Sequence, residues 1–91
     1  MKTINIEAQD LQTWKLNEIA SLLNPEQIHY NAMPYWKAMR MMSSLDDSYG
    51  ADSAASIVTY FLSNATHIKG EIARAVKKEL NRRLKEYHGK K

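Results

Sequence analysis

Apolar positions along this chain recur at helical spacing and predict four helices. The densest apolar block, Ile57-Val58-Thr59-Tyr60-Phe61-Leu62, lies within Ala51 to Thr66. Wound as a helix, Ala54, Val58, Phe61 and Ala65 share one face, and Ile57, Tyr60 and Leu62 cover most of the rest. A helix apolar nearly all round is expected at the centre, with other helices laid against it. Its β-branched and aromatic residues also suit a strand. Helix is preferred because Asp52 and Ser53 are good N-caps, Ala54 and Ala55 suit close packing, and no turn residue intervenes before Ser63.

The other elements follow from their punctuation. Asp10 is the expected N-cap of a helix from Leu11 to Leu23, ended by Asn24-Pro25. Glu26 to Ala32 reads as a turn of helix. Pro34 suits the first position of the next helix, whose stripe of Tyr35, Ala38, Met39, Met42 and Leu45 carries it to about Leu45. Asp46 to Gly50 is a loop, and Asn64 to His67 a tight corner with Thr66 as the candidate cap of the last helix. That helix runs to about Tyr87, with Gly89 as the stop. Gly70, near its start, is expected to let the first turn press on the preceding helix. Thr3 to Glu7 alternates polar and apolar, and residues 1–9 are expected to form an extended arm. The fold class is therefore all-α: one domain over residues 1–91, a compact bundle of about four helices, with an apolar central helix and a basic last helix.

Charge adds an asymmetry to this picture. From residue 68 onward, nine Lys/Arg stand against three Glu, whereas residues 1–67 hold four basic and seven acidic side chains. Such a split points to an end that meets something acidic, either a partner or the chain's own acidic half. On the last helix Ile72, Val76, Leu80, Leu84 and Tyr87 share the apolar face, with Arg74, Lys77, Lys78, Arg82 and Lys85 opposite. Five cations in a row suit a phosphate backbone or an acidic protein surface. Glu71 with Arg74, and Glu79 with Arg82 and Arg83, also have the spacing of ordinary surface pairs.

Met33, Met39, Met41 and Met42 with Tyr35 and Trp36 form a soft aromatic–thioether patch. Tyr35, Met39 and Met42 are expected inward, Trp36 and Met41 partly outward. Trp14, Trp36 and Met41 are the candidate protein-interface residues, since exposed tryptophan anchors interfaces well.

Chemistry finds little footing. Without cysteine there is no disulfide, thiol nucleophile or thiolate-bound zinc. His29, His67 and His88 lack metal-ligand spacing among themselves, and His67 with Glu71 supplies two ligands at most. Asp46, Asp47 and Asp52 do not follow the spacing of a calcium loop. Glycines at 50, 70 and 89 cannot write a phosphate-cradling motif. No catalytic residue, metal or cofactor is expected. The N-terminus lacks the apolar stretch of a secretory signal and no run reaches membrane-spanning length, so a cytoplasmic location without membrane contact is the expectation.

Two stretches resemble known families. Leu16-Asn17-Glu18-Ile19-Ala20-Ser21-Leu22-Leu23-Asn24 resembles the first helix and turn of helix-turn-helix DNA-binding domains, with Ala20, Ile19 and Asn24 at the family's alanine, apolar and turn positions. It departs from that pattern where Pro25 enters the turn and Pro34 interrupts Gln27 to Tyr35, the recognition-helix stretch. An ordinary amphipathic helix is the preferred reading there. Ser56 to Ala65, continuing through Gly70-Glu71-Ile72-Ala73-Arg74, resembles small uncharacterised bacterial and bacteriophage proteins. That likeness is confined to the C-terminal half and implies no activity, only the setting of a phage or mobile-element accessory protein.

These observations lead to a non-enzymatic binding protein that occupies a partner protein's surface, such as an inhibitor of host machinery. The alternative is nucleic-acid binding through the basic face of the last helix. A homodimer is also expected, because Trp14, Trp36, Tyr35 and the central helix offer more apolar surface than three short helices readily cover.

Overall fold

The computed structural model describes residues 11–89. The anticipated arm at residues 1–9 and the Asp10 cap lie outside the described residues. Four helices form, in the order α1 (Leu16–Ala20), α2 (Met33–Met39), α3 (Ala54–Ser63) and α4 (Glu71–Gly89). A 3-10 turn at Pro25–Gln27 links α1 to α2, and a hairpin of two-residue strands, β1 (Ser48–Tyr49) and β2 (Asp52–Ser53), links α2 to α3. The chain is mostly helical, but the hairpin corrects the all-α expectation. Its register pairs Ser48 with Ser53 and Tyr49 with Asp52 around Gly50-Ala51, and Gly50 takes φ +64°, where glycine alone turns without a steric penalty.

α1 and α2 are each shorter than the apolar pattern predicts, because local side chains take backbone groups that would have extended them. The helix expected over Leu11–Leu23 begins only after Lys15, whose N–H donates to the Glu18 carboxylate at 2.7 Å instead of to the carbonyl of residue 11. Ser21 Oγ donates to the Asn17 carbonyl, and Leu22 and Leu23 close with three-residue bonds. The Ala20 carbonyl also accepts from the Trp36 indole N–H at 2.9 Å. Pro34 sits in the first turn of α2, one place after the first position expected for it. That helix stops at Met39 rather than Leu45, and beyond it the Asp47 carboxylate takes the N–H groups of Ser43 and Ser44 at 2.7 and 3.2 Å. Ser53, not Asp52, caps α3, its hydroxyl accepting from Ser56 N–H.

The core is one contiguous cluster in which α3 lies between α2 and α4. Leu16 and Ile19 from α1, Trp36 and Met39 from α2, Val58 and Phe61 from α3, and Val76 and Leu80 from α4 meet there. α3 is not apolar all round: Ala54, Ala55, Ile57, Val58 and Phe61 are buried, whereas Thr59, Tyr60 and Ser63 are exposed. Trp36 is only 5% exposed, which corrects its expected outward placement. The Arg40 guanidinium lies 4.9 Å from its ring centroid. Tyr35 is half-buried and packs against Tyr60.

The corner between α3 and α4 extends to Gly70 rather than ending at His67, and Thr66 caps nothing. α4 starts from Gly70, whose carbonyl accepts from Arg74 N–H at 3.0 Å. A side chain at Gly70 would meet nothing within 4 Å, so the expected close packing is not its role. Its φ of +108° is the reason for glycine. Gly70→Ala should therefore destabilise the fold by about 1–3 kcal/mol through backbone strain alone. Urea unfolding of the variant beside the neighbouring Lys69→Ala, expected to be near neutral, checks this.

Candidate binding face on the C-terminal helix

At ~100° per residue, α4 divides into an inner stripe, an outer stripe and two flanks. Ala73, Val76, Leu80 and Leu84 face the core. Ile72, expected with them, is 41% exposed near the helix start.

One flank holds a buried ionic cluster. Glu79 has no exposed surface. Its two carboxylate oxygens accept from Arg82 Nε and Nη2 at 2.9 and 2.8 Å, and Arg83 Nε adds a third bond at 2.6 Å. Arg83 then turns Nη2 toward the segment before α1, donating to the carbonyls of Leu11 and Trp14 at 2.8 and 2.6 Å and reaching Gln12 at 3.4 Å. Arg82 also bridges to Glu86. The spacing of these pairs is as the sequence indicates, but a fully buried Glu79 corrects their reading as surface pairs. Burial pushes the Glu79 carboxyl up, yet the two arginines outweigh it and hold it below the usual range. Glu79 in turn raises the Arg82 guanidinium.

The other flank faces the end of α3. Lys77 Nζ donates to the Ala65 and Ile68 carbonyls at 3.1 and 2.7 Å, closing the corner. Lys77 and Arg82 thus have internal duties. Arg74, Lys78 and Lys85 are exposed and make no ion pair or side-chain hydrogen bond among the described residues. Asn81 lies between them, its amide donating back to the Lys77 carbonyl. These four residues fall within about 60° of one another and span roughly 16 Å of helix. Among the described residues no carboxylate of the acidic half pairs with them, and Asp47 and Glu18 bind backbone N–H groups instead.

An open groove of about 330 Å³ lies between α3 and α4, lined by Thr59, Leu62, Ser63, Lys77, Asn81 and Leu84. Met41 is 73% exposed, as expected, and Trp14 is half-buried against the core. Trp36 belongs to the interior. The helix-turn-helix likeness ends at α1, since residues 28–32 are not helical. Among the described residues no cluster of three or more His, Asp or Glu is placed to hold a metal, and no helix is long and apolar enough to cross a membrane.

One contact carried no signal in the sequence. His29 and His67 stack at 3.7 Å with ring planes 8° apart, and the backbone N–H of His29 donates to His67 Nε2 at 3.0 Å. The accepting Nε2 is unprotonated. Burial, then the charges of His29 and Lys77, push His67 below its ordinary value, against opposing backbone groups of Gln27 and Asn64. No family model, curated protein or solved structure matches the chain.

Lys77→Met should cost about 1.5–3 kcal/mol, because two carbonyls lose a charged donor, whereas Lys78→Met should stay within about 0.5 kcal/mol. Denaturant titrations of both variants compare them directly. Both depressed groups also lose their contribution on the acid side: His67 as pH falls from about 6.5, and Glu79 as it falls from about 4.5. Stability measured against pH should decline in two steps, with His67→Gln flattening the upper and Glu79→Gln the lower.

Proposed function

We propose that this protein is a non-enzymatic binding module that acts by occupying an acidic surface of a partner protein with the outer face of α4. What carries the reading is the separation of the cations. Lys77, Arg82 and Arg83 serve the fold, while Arg74, Lys78 and Lys85 stand exposed in one row and pair with no carboxylate among the described residues. Among the described residues nothing in their arrangement builds the fold, which leaves them available for contact.

Nucleic acid is the second reading, favoured by the length of that row, which can follow successive phosphates. It has fewer cations than the sequence promised, because two of the five are engaged internally. A homodimer draws less support than before, since Trp36 is covered by its own chain.

A photo-crosslinking residue placed at Lys78 should trap one protein in stoichiometric yield from the native cell extract, and the same residue at Lys37 on α2 should not. Lys78→Glu with Lys85→Glu should abolish capture in competition and leave unfolding unchanged. Absence of any discrete adduct, together with a salt-sensitive shift of duplex or single-stranded nucleic acid, would transfer the row to the second reading.

A further inference from the structure

Resting on the protein-partner reading above, we infer that the α3–α4 groove takes apolar side chains from an acidic amphipathic helix whose carboxylates lie along Arg74, Lys78 and Lys85. The groove and the row share a border, because Asn81 belongs to both and Lys77 forms the adjoining wall. On the α3 side, Thr59 and Ser63 are exposed and Leu62 is half-buried; on the α4 side, Leu84 forms the floor. An aliphatic base with hydroxyl and amide edges and cations on one rim suits a helix with leucine-like anchors at three- and four-residue spacing and carboxylates beside them. Apolar area provides affinity there, and the cations fix orientation.

Other occupants fit less well. In a two-fold contact with a second copy, the rim would face its own cations, since such an interface apposes the same patch. A nucleic-acid backbone would meet the cations but leave Leu62 and Leu84 without an apolar partner. A small molecule would find an open groove in which the Lys77 ammonium already serves two carbonyls.

The test uses two labelled helical peptides of about 18 residues, alike in glutamate content, one with leucine anchors and one with glutamine in their place. Fluorescence anisotropy with the full chain should show the leucine peptide binding at least about tenfold more tightly. Ser63→Glu, in the groove, and Lys78→Glu, on the rim, should each weaken it by about fivefold or more, and Lys37→Glu should not. Equal binding of the two peptides would overturn the groove while leaving the basic-face reading intact. If neither binds although crosslinking at Lys78 still captures a protein, the groove is again overturned and the reading survives. Displacement of the leucine peptide by duplex DNA, or sedimentation showing a dimer that Ser63→Glu dissociates, would assign the face to those occupants instead.

Discussion

The buried carboxylate of Glu79 is the constraint to which the rest of the chain answers. A carboxylate without solvent contact is tolerable only with charged partners and a full set of hydrogen bonds. Arg82 and Arg83 supply both from one turn further along α4. Arg83 is itself mostly buried, so its remaining donors must be met, and the carbonyls of Leu11, Gln12 and Trp14 meet them. That requirement fixes the segment before α1 against a helix some seventy residues later. Closing so long a loop costs about 4 kcal/mol of chain entropy. Charge-assisted bonds are among the few local interactions strong enough to offset it.

The coarse plan was legible because it rests on periodicity and on a few stereochemical markers. Pro34 opened α2, Ser53 capped α3, and the alternation of Val76, Leu80 and Leu84 with cations defined α4. Helix lengths were not legible in the same way. Glu18 and Asp47 are ordinary polar residues in the sequence, and only their position in space shows that they take N–H groups that would have lengthened α1 or α2. Gly70 was singled out correctly but for the wrong reason, since backbone conformation and close packing both favour glycine and only a dihedral angle distinguishes them.

The site was legible in part. The five cations of the predicted row were visible, yet their division was not, because the carbonyls that engage Lys77 come from a corner whose shape no pattern announces. Helical arithmetic puts Glu79 and Arg83 near the border of the apolar stripe, a sign of burial that their reading as surface pairs passed over. His29 and His67 are thirty-eight residues apart. No spacing rule spans that separation, so their contact required the tertiary structure.

The hairpin between α2 and α3 offers almost no edge for main-chain pairing. Each of its strands is two residues long, so its outer edges present too few backbone groups to template an added strand. Partners that bind by extending a sheet need a longer exposed edge than that. Such brevity also denies the hairpin's edges the edge-to-edge stacking that leads to fibres. Among the described residues the surface is instead dominated by side chains on helices, whose spacing is set by turns rather than by the ladder of the main chain.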